Sequence, residues 1–232
     1  NQTCHTTEDV EHADVVLFIG TNPWQSHGIR NARTTLQELH HDPARKMIVA
    51  DPVVTETARL ADIHLQLRPG TDAQLIAALL KAIVDEGLES SAFLAERTTG
   101  FAEVKEVVAG LDLEALCRTA DVDPQRVREV ARLFATARAA CVRADLGLQQ
   151  TLNSTLNSYL EKLVYLTTGQ FGKRGGNNLH SHLVPLIKHS TPPGAGSKSW
   201  VARASGVAEI AGLFPPNVLP EELASERDDR LR

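Results

Sequence analysis

The chain has 232 residues, 42% hydrophobic and 23% charged, the proportions of a soluble globular protein with one large core or two small ones. A formal charge of −5 with no basic run argues against a nucleic-acid surface, and no apolar stretch reaches the roughly 20 residues of a membrane span. Cys4, Cys117 and Cys141 lie far apart with no CxxC pair, so the chain encodes neither an iron–sulfur cluster nor a structural zinc site.

Aromatics are only 4%, which favours interlocked helices and short strands built on Leu, Ala and Val. The first strand is the unbroken apolar run Val15 to Ile19, suited to a parallel sheet covered on both faces. Gly20 ends it, and Asn22 and Pro23 stand at the N-cap and first positions of a helix. Ile29, Ala32, Leu36 and Leu39 form that helix's inner face, and Met47 to Ala50 is a second strand. Together they make a βαβ unit, whose crossover is expected to be right-handed. A short helix over 55–61 and a third strand over 63–67 follow. Thr71 and Gln74 then predict a capping box for a helix with Leu75, Ile76, Leu79, Leu80, Ile83 and Val84 inward.

Residues 90–120 read as short helices in a peripheral excursion. Asp123-Pro124 opens a further helix, with Val122 and Val127 as a hydrophobic staple. Ala140 to Ala144 is a fourth strand, and the helix after it carries Leu156, Leu160, Leu163 and Val164 and stops at Gly169. From Gly172 to Ser199 the composition is that of a loop, with a weak apolar patch from Leu183 to Ile187. The end of the chain has one apolar piece, Val207 to Phe214, and an acidic remainder. The predicted fold is α/β and Rossmann-like: a largely parallel sheet with helices on both faces over 1–172, and an irregular, loop-rich C-terminal segment over 173–232.

In such a sheet a ligand lies outside the carboxyl ends of the strands. Four loops gather there. Gly20-Thr21-Asn22, at a helix mouth, offers free N–H groups and a positive dipole end to a phosphate, although many α/β domains carry such a capped helix and bind nothing. Asp51, about thirty residues after Gly20, is placed to accept hydrogen bonds from a ribose or a guanine edge, or to cap a turn. Asp72, after Arg68-Pro69-Gly70-Thr71, reads as a base contact or a first-turn acid. In the fourth loop, Leu146 to Gln150, two amides follow a glycine and can read a purine or pterin, or stand solvated. The GxGxxG fingerprint is absent, which counts against an ordinary nicotinamide dehydrogenase. His180, His182 and His189 make a weak metal candidate without a carboxylate beside them, and Cys4-His5 is weaker still as a nucleophile pair. No P-loop, GxSxG elbow or HExxH occurs. No catalytic residue and no metal ligand is assigned.

The segments ADVVLFIGTNPWQSH (13–27), IVADPVVTETARLADIHLQLRPGTDAQL (48–75), DLGLQQTLNS (145–154) and LVYLTTGQFGKRGGN (163–177), in this order and spacing, resemble the molybdopterin oxidoreductase family. That family includes dimethyl sulfoxide reductase, formate dehydrogenase and the periplasmic and assimilatory nitrate reductases. The resemblance runs from about Glu8 to Asn178. It implies that Gly20, Thr21, Asn22, Pro23 and Trp24 wrap the phosphates and pterin side of one molybdopterin guanine dinucleotide. It implies that Asp51, Pro52, Thr55, Gly70, Thr71 and Asp72 hold the guanosine end, with Leu146 and Gln150 nearer the metal. The implied protein is a molybdenum or tungsten oxidoreductase of which this chain is a fragment, inactive alone. The resemblance puts an iron–sulfur cluster in a missing N-terminal segment, the metal ligand and a clamping domain elsewhere, and an electron-transfer subunit among the partners. The odd cysteine count points to a reducing compartment, and a cytoplasmic setting is the expectation. A non-catalytic relative, as in the large iron–sulfur subunit of respiratory complex I, is the alternative. The central domain of a thiamine-diphosphate enzyme is a further one, which leaves the Arg68 to Asp72 loop and the Gly172 to Asn177 stretch unexplained.

Overall fold

The computed structural model describes residues 6–179, 201–202, 204–207 and 218–224. One compact unit spans Thr7–Asn178. Its centre is a parallel sheet of β2 (Val15–Ile19), β3 (Lys46–Ala50), β4 (Ile63–Leu65) and β5 (Ala140–Ala144), in the order β4-β3-β2-β5. Val15 is level with Lys46 on one side and Ala140 on the other, so the three long strands end together at Ile19, Ala50 and Ala144.

Every residue of β2 is buried because both faces are covered. Alternation sorts the side chains: Val15, Leu17 and Ile19 point into one hydrophobic cluster, Val16 and Phe18 into another. Helix α2 (Ala32–His41) covers the second face with Leu36 and Leu39. Helix α4 (Asp72–Asp85) lies in the larger cluster with α7 (Leu113–Ala120), α8 (Pro124–Thr136) and α10 (Ser154–Thr167) packed around it. Enclosure on several sides explains its near-continuous apolar sequence.

Residues 90–120 form α5 (Ser91–Arg97), α6 (Phe101–Ala109) and α7, and they reach deeper than a peripheral excursion. Leu113, Cys117 and Ala120, one per helical turn, enter the main core beside Val108. Three further expectations are corrected. The helix after Asn22 is two pieces, α1 (Pro23–Ser26) and α2, because the chain turns left-handed at His27 (φ 53°) and again at Asn31 (φ 46°). The third strand stops at Leu65, although Leu67 stays buried. The capping box at Thr71 does not form: the hydroxyl turns back and donates to the Arg68 carbonyl at 2.6 Å, closing the turn around Gly70 (φ 79°). Asp123 does cap α8, accepting from the Gln125 amide, and Thr55 caps α3 (Glu56–Leu60), accepting from Ala58.

Among the described residues no strand lies beside the outer edge of β5. Two buried side-chain amides take that place. Gln170 accepts from the Ala140 N–H at 3.0 Å, while Asn177 accepts from the Val142 N–H at 2.8 Å and donates to its carbonyl at 2.9 Å. Asn177 opens β6 (Asn177–Leu179), which forms a two-stranded sheet with β1 (Thr6–Glu8) inside a stretch expected as loop. In the second unit, α11 (Leu219–Ala224) presents Glu222, whose carboxylate accepts from the amides of Ala204 and Ser205. Cys4, His5, the histidines at 180, 182 and 189, the Leu183 to Ile187 patch and most of 207–214 lie outside the described residues.

Candidate functional site

The strand order places a switch point between β2 and β5, where the chain leaves in opposite directions from adjacent strands. At their ends the loops touch backbone to backbone. Gly20 (φ 57°) accepts from the Gly147 N–H at 3.0 Å, and a Cβ on Gly20 would lie 2.6 Å from the Leu148 nitrogen. A Cβ on Gly147 would lie 2.5 Å from the Gly20 oxygen. No side chain fits at either position, so the first and fourth loops form one continuous floor.

Above this floor is a cavity of about 450 Å³ to which all four strand-end loops contribute. Gly20, Thr21, Asn22, Asp51, Pro52, Gly70, Asp72 and Gln150 line it. Five other expected residues stand back from it. Pro23 is buried at the first position of α1. Trp24 packs against the α2-side core with the Arg33 guanidinium 5.4 Å from its ring. Thr55 is a helix cap, Thr71 is turned into its own loop, and Leu146 is exposed outside the lining. Gly147, Thr151, Val53 and Pro69 line the cavity in addition. Gly147 carried a signal, a glycine just after a strand; Thr151 carried none, and its hydroxyl accepts from Asn157 Nδ2 at 2.9 Å.

Among the described residues the lining carries no lysine or arginine. Anion binding there falls to backbone N–H groups. Among the described residues the amides of Thr21 and Asn22 meet no protein acceptor, and the buried Thr21 hydroxyl has no hydrogen-bond partner. A buried group of that kind calls for a ligand or water. Asn22 itself is engaged in holding the loops: Nδ2 donates to Glu56 Oε2 at 2.9 Å, and Oδ1 accepts from the Thr57 hydroxyl at 2.6 Å. Its hydrogen bond holds the Glu56 carboxyl below the ordinary carboxylate value. The lining also has two carboxylates, Asp51 and Asp72. Asp51 Oδ1 accepts from the Val53 amide at 2.8 Å, and its carbonyl accepts from His64 Nε2 at 2.9 Å. Asp72 is 5% exposed; burial pushes its carboxyl up from the ordinary value, and the negative charge of Asp51 adds to the rise.

Other features carry less chemistry. An open groove on α10 collects Ser154, Thr155, Ser158 and Tyr159 from one helix face, and Lys162 there is bonded to Ser158 and Glu161. Burial pushes the Cys117 thiol to about 11 and the Cys141 thiol well above its ordinary value, which leaves both inert as nucleophiles. No group of three or more His, Cys, Asp or Glu among the described residues is placed to hold a metal, and no helix among them is long and apolar enough to cross a membrane.

The alpha subunit of an F420-dependent formate dehydrogenase from Methanocaldococcus jannaschii is 32% identical over 171 residues, covering 74% of this chain and 25% of that protein. The assimilatory nitrate reductase catalytic subunit of Bacillus subtilis is 32% identical over 170 residues, covering 71% and 23%. The solved structure of acetylene hydratase from Pelobacter acetylenicus superimposes with a TM-score of 0.66 at 27% identity, over 76% of this chain and 24% of that one. The chain thus spans about a quarter of the length of these relatives. The family model for molybdopterin oxidoreductases matches residues 1–223, and the chain belongs to that family.

Proposed function

We propose that this chain holds the guanine dinucleotide arm of a molybdopterin cofactor within a larger molybdenum or tungsten oxidoreductase. The observation that carries this reading is the cavity, whose lining combines unpartnered amides and a buried hydroxyl with two carboxylates. A diphosphate fits the first, through the Thr21 and Asn22 N–H groups and the Thr21 hydroxyl. The N–H donors of a guanine edge and the hydroxyls of a ribose fit the second, at Asp72 and Asp51. Both demands meet in a space of about 450 Å³, within the range of cofactor clefts. When bound, the group supplies oxygen-atom or hydride-equivalent transfer at its metal. The residues described here bind and orient it.

The relatives named as alpha or catalytic subunits support the same setting. The partners are then the other domains of the same protein and an electron-transfer subunit, with an iron–sulfur cluster outside this chain. The test is metal and nucleotide content of the full-length protein. Molybdenum or tungsten with about two guanines per metal is expected, and Asp51→Ala or Asp72→Ala should each lower it. Loss of one charge-assisted contact costs about 1.5–3 kcal/mol, roughly ten- to a hundredfold in affinity. A well-folded protein with neither metal nor guanine would favour the non-catalytic reading.

A further inference from the structure

We propose that Arg143 is a positioning residue for the dinucleotide cavity, tying Glu8 to Asp145 and so holding the fourth loop against the Gly20 loop. This rests on the cofactor reading of the cavity, of which Arg143 is not a lining residue. Arg143 is the last residue but one of β5, and its guanidinium forks between two carboxylates. Nη1 donates to Glu8 Oε1 at 2.9 Å, and Nη2 to Asp145 Oδ2 at 2.7 Å. All three side chains are largely covered, at 20%, 11% and 26% exposure. Ion pairs shielded to this degree escape most of the screening that weakens surface pairs.

The other Asp145 oxygen, Oδ1, accepts from the Leu146 amide at 2.9 Å and starts α9 (Leu146–Gln149). A helix of four residues has no stability of its own, so its placement is imposed from outside. Four contacts impose it: the Asp145 carboxylate at its first amide, the Gly147 N–H on the Gly20 oxygen, the Leu148 carbonyl accepting from Asn157 Nδ2 at 3.0 Å, and the Leu148 side chain in the main core. Gln150, at its end, lines the cavity. Arg143 orients the first of these contacts. The chain also leaves room for the fork, because a Cβ on Gly28 would lie 2.5 Å from Arg143 Nη2 and 3.2 Å from Asp145 Oδ2. Gly28 does not have a positive φ, so the constraint there is space for the guanidinium. Lysine cannot replace the fork, since an ammonium is a single point charge.

The test uses the full-length protein and two readouts: backbone hydrogen exchange in the peptide spanning 144–150, and guanine nucleotide retained per folded molecule. In Arg143→Met, exchange of the Leu146 and Gly147 amides should rise about tenfold, and nucleotide retention should fall by a similar factor. Arg143→Lys should recover only part of each. Gly28→Ala removes no charge but displaces the guanidinium. It should act in the same direction, and should add nothing once Arg143 is Met. Asp145→Asn keeps an acceptor for Leu146 while losing the ion pair, and covers the case in which Arg143→Met does not fold. Unchanged exchange at 144–150 in the folded variants would overturn the positioning role. So would raised exchange with wild-type retention. Absence of nucleotide from the wild-type protein would instead overturn the cofactor reading, and the exchange result would still decide whether Arg143 holds the loop.

Discussion

Asp72 shows how a single residue can serve a ligand at the expense of the empty fold. Its carboxyl is buried, faces Asp51, and sits above its ordinary value of 3.8. A carboxyl whose folded value is raised favours the folded state fully below the unfolded value, and loses that contribution as pH rises through the folded value. At neutral pH the charged form is therefore a cost in the cofactor-free protein. Asp72→Asn should raise the melting temperature of cofactor-free protein at neutral pH, with the gain shrinking as pH falls towards 3.8. The same change should lower nucleotide retention about ten- to a hundredfold. Equal melting temperatures for both forms across pH would show that burial does not strain this carboxylate. The position of Asp72 after a predicted strand was legible in the sequence. Its burial was not, because a first-turn acid is ordinarily exposed to solvent.

At the level of elements, β5 depends on side chains borrowed from outside the sheet. Asn177 reads as one more residue in a glycine-rich loop, yet it pairs both polar groups of Val142. Asn177→Leu would leave that N–H and C=O unpaired beside a packed core. The expected loss is about 2–4 kcal/mol for the two groups, seen as a lower urea midpoint with an unchanged slope. A shift below about 0.5 kcal/mol would mean that the edge finds other partners. The strands β2, β3 and β5 and the helices α4, α8 and α10 were legible because their hydrophobic spacing is strong. The break between α1 and α2 was not. The apolar spacing continues across it, and the break is made by the left-handed backbone of His27 and Asn31.

Across the whole molecule, the cavity exists because segments far apart in the chain end at one sheet edge. Gly20 and Gly147 are the contact on which this depends. Gly147→Ala should cost about 1–3 kcal/mol by overpacking and should displace the fourth loop, with nucleotide loss larger than the stability change alone explains. In the double variant with Gly20→Ala the two costs should not add, since either methyl separates the same pair of loops. Simple additivity in denaturant unfolding would mean that the loops do not share a floor.

The α/β class, the parallel strands and residues at all four loop mouths were legible in the sequence alone. Apolar runs, alternation and strand-end glycines or acids are local patterns, and local patterns suffice to place residues at the carboxyl edge. The identity of the lining was decided by tertiary structure. Asn22, Thr55 and Thr71 carry the residue types of a binding loop, yet each spends its side chain on a neighbouring protein group, and Leu146 points elsewhere. Gly147 and Thr151 enter the lining because β5 inserts beside β2 in a sheet whose order no local pattern specifies. Strand order follows from how the helices cover both faces, and that packing is a property of the folded chain.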